Sequence, residues 1–168
     1  MSDIYIVSDT HFGHGGILSF KREDGSPVRN FSCAEEMDEC MVNSWNLVVR
    51  PQDHVYHLGD VAMKRTEIST VSRCNGHKRL VRGNHDVFRT KDYLPYFEEI
   101  YGIRVLDNMI FTHIPIHPES LGRFRANIHG HVHALPQGHF GPKYYNVCVE
   151  ALGYVPVSLE DLKTRLPS

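Results

Sequence analysis

Eight side chains that can hold a metal or move a proton sit just past apolar runs: Asp9, His11, Asp60, Asn84, His85, His113, His131 and His133. The set holds two carboxylates, one amide and five imidazoles, all oxygen or nitrogen donors and no thiolate. That composition excludes a cysteine-zinc site and suits Mn²⁺, Fe or Zn²⁺ in a hydrolytic centre. There are more candidate ligands than one ion needs, so the sequence implies two divalent ions, roughly 3.5–4 Å apart as in other two-metal sites. Asp60, after the central strand, is the natural carboxylate to bridge them. Asp86 follows His85 directly and is the carboxylate expected to support that ring.

Such donors must be delivered by rigid elements. Ile4–Val7 reads as a short buried strand, followed by Ser8-Asp9-Thr10-His11. Ser32-Cys33-Ala34-Glu35 has capping-box spacing, and the helix it opens runs to about Arg50, before Pro51. Met37, Met41, Trp45 and Val48 share one face of it, which is a core face. Residues 53–58 form the second strand, ending at Gly59-Asp60. Residues 66–74 read as a second helix, and 78–81 as a third strand ending in Arg82-Gly83-Asn84-His85-Asp86. Residues 87–101 read as partly helical. Residues 103–106 and 109–112 flank Asp107-Asn108 as a hairpin, residues 122–126 form a basic loop, and 127–129 lead into Gly130-His131-Val132-His133. Residues 144–150 read as a last strand, and Ser158 caps a short terminal helix. Helices alternate with strands early and hairpin-like strands dominate later, which implies an α/β layered αββα sandwich with mixed sheets in a single domain, residues 1–168.

Composition sets the outer limits. The chain has 168 residues, 41% of them hydrophobic and 23% charged, enough for one sizeable core. A net charge of −2 gives no overall positive field to recruit nucleic acid or anionic membrane. Lys64, Arg73, Lys78, Arg79, Arg82, Arg123 and Arg125 are basic but lack an aromatic-basic platform, so nucleic acid is conceivable as a substrate rather than indicated as a partner. The four cysteines form no CxxC pair and read as buried thiols in a reducing compartment. No membrane-length apolar run and no leader pattern is seen, so the expectation is cytoplasmic. His54 and His57 lie inside a strand and read as structural. His14 either faces the pocket or is a loop histidine, and Arg29 reads as solvated rather than as a phosphate clamp.

Asp9-x-His11, Gly59-Asp60, Gly83-Asn84-His85-Asp86, His113 and Gly130-His131-x-His133 resemble, in order, the five motifs of the calcineurin-like metallophosphoesterases. The wording Asp-Thr-His-Phe-Gly-His is similar to compact bacterial and phage members. The resemblance implies that Asp9, His11 and His133 hold one metal and Asn84, His113 and His131 the other. Asp60 would bridge, and His85 would contact a phosphate oxygen or protonate the leaving group. The implied activity is phosphoester hydrolysis with two divalent ions, Mn²⁺ foremost and Fe, Zn²⁺, Ni²⁺ or Co²⁺ also suitable. Phosphodiester, nucleotide-type substrates are favoured slightly over monoesters; a phosphomonoesterase and a non-catalytic scaffold are the alternatives. One departure stands out: Val61-Ala62-Met63-Lys64 carries no acid where many relatives place another charged contact.

Overall fold

The computed structural model describes residues 2–166. The first sheet has strand order β4-β3-β2-β1-β9, built from β1 (Ile4–Val7), β2 (His54–His57), β3 (His77–Val81), β4 (Glu99–Tyr101) and β9 (Val157–Ser158). β1 to β4 run parallel, with Ile4 opposite His54 and His54 opposite His77; only β9 is antiparallel. The second sheet has the order β5-β6-β7-β8, from β5 (Arg104–Leu106), β6 (Met109–Thr112), β7 (Ala126–His129) and β8 (Tyr144–Asn146).

Side-chain alternation explains the layering. Ile6, Tyr56 and Leu58 point one way and meet Met109, Phe111, Ala126, Ile128 and Tyr145 of the second sheet. Val7, Val55 and Leu80 point the other way, against Met37, Met41 and Trp45 of α1 (Ala34–Val48). A period of two thus makes one sheet face both a helix and another sheet. Trp45 is 1% exposed and its indole N–H donates to the Asn75 carbonyl at 3.0 Å. Truncating a side chain so placed costs about 3–5 kcal/mol.

The result is an α/β protein with two mixed sheets and helices, and it departs from expectation in detail. The outer face of the second sheet carries only a small cluster, Ile110, Leu121 and Tyr144, under the four-residue α3 (Pro118–Leu121). The fourth layer is therefore a thin cover rather than a helical layer. Among the described residues only β5 and β6 form a hairpin, on a turn with Asp107 and Asn108 at φ 49° and 59°; β6, β7 and β8 are parallel. Residues 87–101 hold the short α2 (Thr90–Tyr93) and then a fourth strand. Arg65–Arg73 is a 3₁₀ helix rather than an α-helix. The strand expected over residues 144–150 stops at Asn146 and is followed by α4 (Val149–Leu152), and the last strand is the unexpected β9. The first long helix is capped one residue late, at Cys33, while the Ser32 N–H donates to Glu36 rather than Glu35, at 2.7 Å. Ser158 does cap α5 (Leu159–Arg165), its hydroxyl accepting from Asp161 N at 3.1 Å. Cys74 and Cys148 are buried, but Cys33 is exposed and Cys40 half-buried.

A candidate metal centre at converging strand ends

Three parallel strands of each sheet, β1-β2-β3 and β6-β7-β8, end on the same side of the molecule. The loops that leave them are stitched together: Asp9 N donates to Gly59 O at 2.9 Å, Gly130 N to His113 O at 2.9 Å, and Val149 N to Ser8 O at 3.1 Å. The stitching forces unusual backbone. Asp9, His11, Asp60, His131 and His133 all have positive φ, between 48° and 72°. For residues other than glycine this costs of order 1–3 kcal/mol each and collects at functional sites. Gly130 lies so close to Ser8 Oγ and Asp9 Oδ2 that a Cβ would collide with both. Gly83 packs in the same way on Asp60.

Asp9 is fully buried and its two oxygens differ. Oδ2 accepts from Ser8 Oγ at 2.6 Å, His131 N at 2.9 Å and Cys148 Sγ at 3.2 Å. Among the described residues, Oδ1 has no hydrogen-bond partner, and neither ring nitrogen of buried His11 has one. His11 Nε2 lies 3.7 Å from Asp9 Oδ1 and 3.6 Å from Asp60 Oδ2. His133 Nε2 lies 3.9 Å from Asp9 Oδ1. Asp60 Oδ2 also faces His113 Nε2 at 3.3 Å, so this one oxygen stands between two imidazoles. Asp9, His11 and His133 form one grouping able to hold a cation, and Asp9, Asp60 and His113 a second that shares Asp9.

Hydrogen bonds on the far sides of the rings fix which nitrogen faces inward. His113 Nδ1 sits 2.7 Å from the Leu58 carbonyl, which can only accept. The proton of a neutral His113 is therefore on Nδ1 and its Nε2 is bare and inward, whereas the 2.9 Å contact of Nε2 with Asn84 Oδ1 is a hydrogen bond only when Nε2 is protonated as well. His131 Nδ1 approaches the same Asn84 oxygen at 2.9 Å. His133 Nδ1 meets Glu150 Oε1 at 3.0 Å, which leaves its Nε2 as the inward lone pair. Lone pairs converging in a buried space need a positive charge among them. The titration behaviour reflects this. Burial pulls the His113 imidazole down, but the Asp60 contact and the Asp9 and Asp60 charges override it and raise it to about 9. Burial likewise pushes the Asp9 carboxyl up, and the surrounding histidines outweigh it and hold Asp9 well below the usual range. The donor set and its orphaned atoms fit divalent cations.

The remaining residues take varied places. His85 and Asn84 are exposed; the His85 N–H donates to Asp60 Oδ1 at 2.8 Å and its ring lies 5.7 Å from that of His11. Asp86 does not support the His85 ring as expected. Its carboxylate is turned to the backbone, accepting from Asp60 N and Gly83 N at 2.8 Å each and from Val61 N at 3.1 Å. It pins the loop after β2 to the loop after β3, and burial outweighs the three amides to raise its pKa. His14 is half-buried with its ring 5.8 Å from that of His11, so it faces the pocket. His57 is structural: Gly59 N donates to its Nδ1 at 3.2 Å, so Nε2–H donates to Thr10 Oγ1 at 2.9 Å. Burial holds its imidazole down at about 3. His54 accepts from Arg79 at 2.9 Å.

Arg29 is not solvated. It is 1% exposed, donates to the Asp9 and Thr10 carbonyls, and bonds Glu150 Oε1 at 2.8 Å. Glu150, which sequence reasoning missed, thus links Arg29 to His133. It is the second residue of the four-residue α4, with no motif around it, so spacing offered no signal. The basic residues noted earlier are largely spent inside the molecule. Lys78 donates to the Cys74 and Gly76 carbonyls, Arg79 pairs with Glu99, Arg73 with Glu39, and Arg82 reaches the Asp86 and Phe88 carbonyls.

Fold and site together define a layered α/β protein with a buried aspartate–histidine cluster at its strand ends. The chain is 34% identical over 173 residues to Uncharacterized protein MJ1445 of Methanocaldococcus jannaschii, covering 95% of this chain and 89% of that protein, and it belongs to the same family. Gene 66 protein of Mycobacterium phage L5 is 33% identical over 92 residues, 51% of this chain and 41% of that protein. The crystal structure of the protein of unknown function AQ665 from Aquifex aeolicus superposes with a TM-score of 0.75 at 26% identity, over 98% of this chain and 99% of that one. No model of a known protein family matches the chain. Among the described residues, no helix is long and apolar enough to cross a membrane.

Proposed function

We propose that the protein is a metal-dependent phosphoesterase of the calcineurin-like type with a two-cation centre. The observation that carries this reading is the unpartnered Asp9 Oδ1 and His11 Nε2, buried beside an Asp60 oxygen shared between His11 and His113. Asp9, His11 and His133 would hold one cation, and Asn84, His113 and His131 the other, with Asp60 between. Mn²⁺ is the leading candidate and Fe, Zn²⁺, Ni²⁺ or Co²⁺ suit the same donors. Bound there, divalent cations supply positive charge for phosphoryl oxygens and lower the pKa of water near neutrality.

The chain's own groups do the rest. The Leu58 carbonyl and Glu150 keep the His113 and His133 lone pairs inward. His85 stands at the exposed rim with its backbone tied to Asp60 and its ring beside His11. In that place a protonated His85 can donate to the leaving-group oxygen, which favours esters with poor leaving groups and hence diesters.

The test is a screen with purified protein and each candidate metal on an aryl phosphomonoester, an aryl phosphodiester and 2′,3′-cyclic nucleotides. His85→Ala should keep the metal stoichiometry and lose turnover by about 10²–10⁴-fold, the range for one acid–base group. Metal binding without turnover on any ester would make the protein a scaffold. Parental turnover in His85→Ala would remove the histidine's role.

A further inference from the structure

Beside His133 the surface opens into a groove of about 610 Å³. One wall is the turn over residues 20–28, closed by Arg22 N to Ser26 O at 2.8 Å and Val28 N to Phe20 O at 2.8 Å. The other is the segment after His133, contributing Ala134, Leu135 and Pro136. That wall is built rather than loose. Buried Asn146, 2% exposed, donates from Nδ2 to the His133 carbonyl at 2.9 Å and to the Leu135 carbonyl at 3.0 Å, and its backbone N–H donates to Gln137 Oε1 at 2.9 Å. Arg22 reaches across to the Ala134 carbonyl at 3.5 Å.

Three properties select an occupant. The groove is continuous with the metal centre, because His133 lines it. Its volume lies in the range of about 300–1,000 Å³ that takes a whole small molecule, much more than a bare phosphate fills. Its formal charges cancel, since Lys21, Arg22, Glu23 and Asp24 line it together, while His139 adds an imidazole and Val28, Val132, Ala134, Leu135 and Pro136 supply apolar walls. A cancelled rim gives no footing to a polyanion, and apolar walls favour a flat or ring-bearing group.

We infer that this groove is a specificity site that takes an uncharged, ring-bearing substituent of about nucleoside size from a phosphoester whose phosphoryl group lies at the metal centre. The inference rests on the phosphoesterase reading and narrows its substrate to a small nucleotide-type ester rather than a nucleic-acid strand or a bare alkyl phosphate. Leu135 sets the apolar wall; it is 38% exposed, so changing it leaves the core intact.

The experiment measures equilibrium binding of AMP and of inorganic phosphate to the metal-loaded protein by calorimetry, for the parent, Leu135→Ala and Leu135→Asp. In the parent, AMP should bind at least tenfold tighter than inorganic phosphate. The ratio should fall in Leu135→Ala and collapse by tenfold or more in Leu135→Asp, with both variants melting cooperatively. Equal affinity for AMP and phosphate in the parent, or a ratio unchanged in both variants, overturns the inference. Since the readout is binding, absence of turnover with a preserved ratio would remove the enzyme reading and leave the groove in place.

Discussion

Removing the Asp86 carboxylate should damage the fold first and the site through it. In Asp86→Ala the amides of Asp60, Val61 and Gly83 lose their shared acceptor. Two of these residues, Asp60 and Val61, are buried, and each stranded donor costs about 1–3 kcal/mol. Relief of the buried negative charge offsets part of this, so the net loss should be about 2–4 kcal/mol. Asp86→Asn keeps one oxygen for two amides and sets an NH₂ group against the third, so it should lose only about 1–2 kcal/mol. Urea unfolding followed by circular dichroism gives both numbers, and titration calorimetry then reports divalent-ion stoichiometry. Because Asp86 holds the Asp60 amide, the alanine variant should also bind metal more weakly. The reasoning is refuted if Asp86→Ala unfolds within 0.5 kcal/mol (~ the ordinary surface-substitution range) of the parent. A stable Asp86→Asn that loses turnover like a His85 variant would restore a catalytic part for the carboxylate.

Other expectations concern the supports of the site. Glu150→Gln should weaken divalent-ion binding by about 10–100-fold, the usual effect of losing a ligand's outer partner, and calorimetry that finds parental affinity would detach His133 orientation from Glu150. His57 is held neutral in the folded state at about 3, below its unfolded value, so its contribution is full above about pH 6.5 and is lost as pH falls toward 3. The loss is on the order of 4 kcal/mol, and His57→Phe should flatten that limb of a urea-midpoint profile; a superimposable profile would contradict it. Gly130→Ala should destabilise by about 1–3 kcal/mol, as overpacking does, whereas Gly102→Ala, with open space around it, should be near neutral in the same melt.

The strand-end residues were legible because short apolar runs announce parallel strands, and whatever follows such a run lands on the sheet's C-terminal edge. Asp9, Asp60 and His113 needed nothing more. Arg29 was illegible because its partners are carbonyls some twenty residues upstream, and the polar stretch around it looks like any loop. Glu150 failed for a similar reason, since it joins Arg29 to His133 across elements far apart in the chain, and Asn146 works through the carbonyls of the loop that precedes its own strand, which no side-chain pattern announces. Asp86 misled because adjacency to His85 suggested a side-chain pair, while the turn there points its carboxylate at amides. The two-residue β9 carries too little pattern to be read at all.

The left-handed backbone at Asp9, His11, Asp60, His131 and His133 has an evolutionary price tag that points in an unexpected direction. A chain released from selection for its chemistry would gain resilience by putting glycine or asparagine at these places, since both settle into that conformation readily. Sturdier, inert descendants are therefore the easy drift, and this chain, with histidine or aspartate at all five places, stands away from it.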